Sequence, residues 1–347
     1  MSAHDLAAVA DAMVAPGKGI LAIDESNKTC NSRFEKLGIA PEPEERRAYR
    51  QLLLTTPRLG EWISGAILYD ETIRQSTADG RPFVDVMRAA GIIPGIKVDA
   101  GTVPLPGCDG ELITEGLDGL PKRVDEYYKL GARFAKWRAV ISIDARKPSY
   151  HALAANAYAL ARYARICQDG GLVPIVEPEL LTAGDHGIER CFEATRSALR
   201  HVFGALAREG VDFKGMVLKP SMVTPGTESR DTASASEVAK ATVDVLSETV
   251  PAAVAGVAFL SGGQDDISAT LHLQLMNELP KRYRPWPLTF SYGRAIQQAA
   301  LAAWAGKKHN VELAQSIIAH RSKCNAEAST GSFNEAAERD SYSAFVA

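Results

Sequence analysis

The chain is expected to fold as an α/β protein, a single-domain (β/α)8 (TIM) barrel with a flexible C-terminal tail. Three observations point there. Short apolar runs rich in β-branched residues alternate with longer amphipathic stretches, the pattern of a parallel sheet whose strands are joined by helices. The apolar runs number eight, which is the number that closes such a sheet into a barrel. Finally, no G-x-G-x-x-G follows the first run, so the fingerprint of an open, doubly wound dinucleotide-binding sheet is missing.

The elements follow in order. Met1–Ala12 opens an amphipathic helix, with Leu6, Val9, Ala10 and Met13 at helical spacing. The predicted strands are Gly19–Glu25, Ala66–Asp70, Ile92–Asp99, Arg133–Val140, Leu172–Glu179, Gly215–Val223, Gly256–Gly263 and Leu288–Arg294. Between them lie helices with readable ends. Ser149 is placed to cap a helix in which Leu153, Asn156, Ala157, Leu160, Ala164 and Cys167 step by three and four, and Gly170–Gly171 closes it. Another begins near Ser234 and runs through Val238, Thr242, Val245 and Leu246. After His320 the sequence is rich in Ala, Ser and Glu and loses its period. The barrel is therefore assigned to 1–320 and a mobile tail to 321–347.

Composition narrows the function. With 347 residues, 46% of them hydrophobic and 23% charged, the chain can bury a large core. A net charge of -3 argues against a nucleic-acid binder or a membrane-surface protein. No apolar run is long enough to span a bilayer, and no secretory signal is visible. The five cysteines are odd in number and contain no C-x-x-C pair, which suits reduced thiols in a cytoplasmic protein.

Charged residues recur at the C-terminal ends of the apolar runs: Asp24–Glu25, Lys97–Asp99, Lys136 and Arg138, Glu177 and Glu179, Lys219, and Arg294. A single charge there would be solvated and unremarkable. Six strands in eight carrying one is a different matter, because the C-terminal mouth of such a barrel is where chemistry sits. Residues two apart on a strand share a face, so Lys136 and Arg138 point together, as do Glu177 and Glu179. A lysine beside another ammonium and partly desolvated can lose its proton near neutral pH. The free amine then attacks a ketone and forms a Schiff base, while a nearby carboxylate moves protons. The seven histidines are scattered without metal-binding spacing, so neither a catalytic metal nor another cofactor is expected. His186, in the loop after strand five, reads as a hydrogen-bonded loop residue.

Two segments suggest an anion site. Leu260–Gln264 ends strand seven and Ser291–Arg294 ends strand eight. Glycines let backbone N–H groups approach a phosphate, and barrels often hold one after these two strands. Arg294 adds a fork of donors.

At this point the chain resembles a known family. APGKGILAIDES (Ala15–Ser26), ADGRPF (Ala78–Phe83), GIKVD (Gly95–Asp99), FAKWR (Phe134–Arg138), VPIVEPE (Val173–Glu179), LKPSMVTPG (Leu218–Gly226), FLSGGQ (Phe259–Gln264) and LTFSYGRA (Leu288–Ala295) look like the class I fructose-bisphosphate aldolases, in the family's order. The resemblance implies roles position by position. Lys219 matches the Schiff-base lysine, Glu177 the main acid/base, and Glu179 a carboxylate that assists dehydration. Asp24 matches the carboxylate that positions the hydroxyl deprotonated in cleavage. Lys136 matches the ammonium beside the Schiff-base lysine. Lys97 and Arg138 match contacts along the sugar chain. Ser261, Gly262, Gly263, Ser291, Gly293 and Arg294 match the phosphate site at the ketone end, and Arg33 and Ser26 the region of the far phosphate.

The implied reaction is the reversible cleavage of fructose 1,6-bisphosphate to dihydroxyacetone phosphate and glyceraldehyde 3-phosphate, in glycolysis, gluconeogenesis or the Calvin cycle. The implied assembly is a metal-free homotetramer. Two positions depart from the family. Ser32 stands where the animal enzymes carry a lysine, a role Lys28 could fill, and Tyr342 is near the end of the chain where the family has a terminal tyrosine. The first departure leaves sedoheptulose 1,7-bisphosphate as an alternative substrate. A non-catalytic phosphate-binding or scaffolding barrel would require an essential residue to be missing, and Lys219, Glu177, Asp24 and Lys136 are all present.

Overall fold

The structure is a computed structural model that describes residues 3–336 and 338. Eight parallel strands close into a barrel. They are β1 (Gly19–Ala22), β2 (Ile63–Leu68), β3 (Ile93–Lys97), β4 (Phe134–Ile141), β5 (Val173–Leu180), β6 (Val217–Leu218), β7 (Gly256–Phe259) and β8 (Leu288–Tyr292). Each strand pairs with its neighbours in sequence, and β1 closes on β8 through Ile20–Ser291 and Leu21–Tyr292.

Around the barrel stand helices whose ends follow the sequence signals. The expected N-terminal helix is α1 (Ala3–Met13). Next come α2 (Asn27–Glu35), α3 (Pro43–Leu54), α4 (Asp70–Ile73), α5 (Phe83–Ala89) and α6 (Leu120–Leu130). In α7 (Tyr150–Asp169), Ser149 Oγ accepts the Ala152 N–H and Gly170 ends the helix. After α8 (Ile188–Arg208), α9 (Ala235–Thr249) starts with a reciprocal cap between Ser234 and Glu237. Then come α10 (Asp266–Glu278), α11 (Arg294–Trp304) and α12 (Val311–Ala328).

Two apolar layers hold this together. The larger lies between strands and helices. The smaller fills the N-terminal end of the barrel: Leu6, Ala10 and Met13 of α1 pack beneath Ile20, Ile67, Phe134 and Val217. Each large side chain buried there contributes on the order of 1.5–3 kcal/mol. The packing is close enough to demand glycine. A Cβ on Gly95 would lie 2.2 Å from the Phe134 ring, and one on Gly256 would lie 2.7 Å from Val14.

Several boundaries differ from expectation for local reasons. Strand two was expected from Ala66, but β2 begins at Ile63, because the Ser64 hydroxyl is satisfied by the Met13 and Gly19 carbonyls at 2.6 and 3.0 Å and need not leave the sheet. Asp70 opens α4 instead of ending the strand. Strand six is far shorter than Gly215–Val223, since Pro220 has no N–H to continue the ladder. An antiparallel hairpin, Thr102–Pro104 with Leu112–Thr114, follows β3.

The expected boundary at 321 falls inside a helix. Helix α12 runs past His320 to Ala328, so 321–328 belong to the packed body. Arg321, Ser322 and Asn325 are fully buried there, and polar residues on a buried face conceal the helical period. Tyr342, with Ser341–Ala347, lies outside the described residues. All five cysteines are free thiols.

Candidate active site

The C-terminal ends of the strands surround a cavity of about 580 Å³. Its floor is set by register. Lys97 on β3 pairs with Lys136 on β4, and Arg138 pairs with Glu177 on β5, so side chains of opposite sign converge. Asp24 stands just beyond β1. Lys219 follows β6 directly, its N–H bonded to the Val176 carbonyl at 2.8 Å.

The charges form one chain of contacts. Lys136 Nζ lies 2.8 Å from Asp24 Oδ2 and 3.1 Å from Glu177 Oε2. Glu177 Oε1 lies 3.2 Å from Lys219 Nζ. The Lys136–Glu177 approach satisfies distance but is bent too far for a hydrogen bond. Lys136, Glu177 and Lys219 are each less than 5% exposed, where Coulomb interactions are far stronger than in water. Burial alone would discharge Lys136, but Asp24 and Glu177 outweigh it and hold the ammonium well above its ordinary pKa. Burial likewise pushes the Asp24 carboxyl up, and Lys136 overcomes it, holding the group well below the usual carboxylate range. Glu179 differs: burial and the Glu177 charge push its pKa up, against Arg138, whose Nη1 is 3.1 Å away. Lys97 is bound to Asp99 at 2.8 Å.

The rim formed by β7 and β8 is of another kind. Ser261 and Ser291 are buried and line the cavity with Gly262, Gly293 and Arg294. Ser291 Oγ has no hydrogen-bond partner among the described residues. A Cβ on Gly262 would meet Glu179 Oε1 at 3.3 Å. Gly293 caps α11, and its carbonyl accepts from Ile296 and Gln297, so the Arg294 and Ala295 amides precede the ladder, as at any helix start. Such an end favours an anion.

On the opposite rim, Ser26 caps α2 and Arg33 is ion-paired to Glu25. Of the fifteen residues expected at the site, fourteen line the cavity. Gly263 does not; it turns the loop at φ +75. Lys28 is on the lining, whereas Ser32 is exposed and off it. His186 is also off the lining, and its ring nitrogens are buried without partners among the described residues, not hydrogen-bonded as expected.

Sequence reasoning missed the support beneath Arg33. Glu25 also pairs with buried Arg50 at 2.9 Å and accepts from Gln297 at 3.3 Å. Those partners come from α3 and α11, too far along the chain for any local pattern to link them. Tyr69, another lining residue, stood one place before the end of a predicted strand and carried no charge to mark it.

A parallel barrel with buried lysines held against carboxylates in its mouth, beside a polar rim suited to anions, is an enzyme equipped for amine–carbonyl chemistry on an anionic substrate. Comparison with known proteins makes the class particular. The family model "Fructose-bisphosphate aldolase class-I" matches residues 5–347. A probable class 1 fructose-bisphosphate aldolase of Xanthomonas axonopodis pv. citri is 57% identical over 95% of this chain and 99% of its own. The fructose-bisphosphate aldolase of Dictyostelium discoideum is 52% identical over 95% and 93%. A solved fructose-bisphosphate aldolase of Plasmodium falciparum, in complex with TRAP and an inhibitor, superimposes with a TM-score of 0.93 at 47% identity, covering 95% of each chain. The chain belongs to the class I fructose-bisphosphate aldolase family, and its activity is the glycolytic lyase reaction of that family.

Proposed function

We propose that Lys219 is the amine that forms the Schiff base and that Glu177, Lys136 and Asp24 run the proton traffic around it. The observation that carries this reading is the contact chain Lys219–Glu177–Lys136–Asp24, with successive links of 3.2, 3.1 and 2.8 Å. Lys219 passes a proton to Glu177, 3.2 Å away, its free Nζ adds to the ketone carbon, and Glu177 returns that proton to expel the carbinolamine hydroxyl as water. Glu179 supports this dehydration. The iminium then accepts the electron pair of the breaking carbon–carbon bond while the substrate hydroxyl proton passes toward Asp24. Asp24 is a weak base while Lys136 holds it ionised. A sugar hydroxyl entering between the two takes one of the ammonium's bonds and restores that basicity. Release of the aldehyde fragment leaves an enamine, which is protonated and hydrolysed.

Arg294, Ser261, Ser291 and the Gly262 and Gly293 backbone hold the phosphate at the ketone end, with Gly263 shaping the loop. Lys97 and Arg138 contact the sugar chain. Arg33, with Ser26, receives the far phosphate, and the place of Lys28 on the lining supports its joining them. That cationic rim also suits the longer sedoheptulose 1,7-bisphosphate, and a comparison of kcat/KM for the two bisphosphates separates the readings. The resemblance further supports a cytoplasmic homotetramer serving gluconeogenesis or the Calvin cycle as well as glycolysis; light scattering should return four times the chain mass.

Borohydride reduction in the presence of dihydroxyacetone phosphate tests the central assignment. Mass should be added at the peptide holding Lys219. Active protein labelled elsewhere, for example at Lys136, would overturn it.

A further inference from the structure

Away from the catalytic mouth, α12 presents two ligand-type side chains one helical turn apart, His320 and Cys324, and the chain returns to set Glu338 against both. Cys324 Sγ donates to Glu338 Oε2 at 2.8 Å, His320 Nε2 lies 2.5 Å from the same oxygen, and Sγ and Nε2 are 3.7 Å apart. None of the three lines the catalytic cavity. We propose that His320 Nε2, Cys324 Sγ and Glu338 Oε2 form a binding site for a borderline-soft divalent cation, best suited to Zn2+, that ties Glu338 to α12.

The chemistry of the donors chooses the ion. Thiolate and imidazole together select zinc over magnesium or calcium, which want oxygen. The i, i+4 spacing puts both donors on one face of the helix. In a tetrahedral zinc site, with bonds of about 2.0–2.3 Å, ligand atoms stand roughly 3.3–3.7 Å apart. The sulfur–nitrogen distance already meets this, and the Glu338 oxygen needs to draw back by about 1 Å. What holds it close now is hydrogen bonding, so protons occupy the place the metal would take. Binding converts the thiol to a thiolate and releases its proton to solvent, and the proton that bonds His320 Nε2 to Glu338 must leave that nitrogen so that its lone pair faces the metal.

The surroundings are built for a ligand set. The second oxygen of Glu338 accepts from Arg321 Nη1. Arg321 is fully buried and is itself anchored to the Asp266 carbonyl at 2.8 Å and Thr270 Oγ1 at 2.7 Å. Such outer partners orient a ligating carboxylate. A cavity of about 200 Å³, bordered also by Phe333 and Asn334, lies alongside and leaves room for water as the fourth ligand.

The test uses the full-length chain stripped with chelator and titrated with Zn2+ alone by calorimetry, in buffers of different ionisation enthalpy near neutral pH. One ion per chain should bind with release of at least one proton. Co2+ should give a thiolate charge-transfer band and the intense visible bands of a tetrahedral site. His320→Ala and Cys324→Ser should each weaken binding by roughly 10–100-fold or more, while Cys108→Ser should not. His320 is at the edge of the site, with its side chain 20% exposed, so its variant tests the proposal even if Cys324→Ser misfolds. No binding, no thiolate band, or unchanged affinity in His320→Ala would overturn the site.

Discussion

The two sides of the barrel mouth handle polarity in opposite ways. On the side of β1 and β3–β6 every charge is answered from within: Asp24 and Glu177 flank Lys136, Glu177 reaches Lys219, and Lys97 holds Asp99. On the side of β7 and β8 the groups other than Arg294 are small, neutral or backbone, and Ser291 Oγ is buried with nothing to bond among the described residues. A carbon–carbon bond-breaking centre needs charges that keep their geometry while protons move among them, so mutual compensation preorganises it. A binding rim needs the reverse, donors left short of acceptors until the ligand supplies them.

Substitutions can break this contrast. Lys219→Met should fall furthest, with kcat reduced by roughly 10⁴–10⁶-fold, the scale seen when a nucleophile is removed. Steady-state assay with the folded variant checks it, and residual activity within a hundredfold of the parent would move the nucleophile elsewhere. Glu177→Gln should lower kcat by roughly 10²–10⁴-fold; an unchanged value would transfer its part to Glu179.

Next in size is an effect of pH on the scaffold of the rim. His272, on α10, bonds Gln264 of the glycine loop at 2.6 Å, and burial lowers its pKa to about 4. Its folded value lies below its unfolded one. The unfolded chain therefore takes up the proton first as pH falls from about 6.5 to about 4, and stability is lost across that window by up to about 3 kcal/mol. It should change no further below. Denaturant titrations of His272→Gln should have a shallower slope over that window, and an identical slope would show the imidazole to be uninvolved.

Smaller still are changes at the anion contacts. Arg294→Ala should raise KM by roughly 10–100-fold with less effect on kcat, as loss of a charged hydrogen bond predicts. Ser291→Ala should raise KM only a few-fold, as for a neutral hydrogen bond of about 1 kcal/mol. It should not lower thermal stability, because the hydroxyl has no partner among the described residues to lose. A marked fall in its melting temperature would show that the rim, like the floor, is internally bonded.

Much of this was legible in the sequence because function interrupts pattern. A lysine, arginine or glutamate at the end of an apolar run is conspicuous, and so Lys136, Glu177 and Lys219 could be picked out beforehand. Ser149 and Ser234 announced their helices through local hydrogen bonding that three residues suffice to specify. What could not be read depends on distant partners. Glu25 looked like one more strand-end acid until α3 brought Arg50 to it. Helix α12 concealed its length because its buried side includes Arg321 and Asn325, whose partners lie on α10 and beyond. Gly263 matched the family motif yet serves the turn and not the lining, a distinction made by a backbone angle that composition does not encode.

The plug of α1 beneath the barrel has a further consequence. With Leu6, Ala10 and Met13 packed under Phe134 and Ile67, the described residues close the vessel at that end, and what enters or leaves uses the mouth. Two fragments cut from one sugar cannot depart by opposite exits. The piece tethered to the floor must wait for the untethered one to clear the threshold, and an incoming aldehyde can reach the tethered piece only through the passage its predecessor vacated. The order of traffic is thus written into the stopper at the far end, where no chemistry takes place.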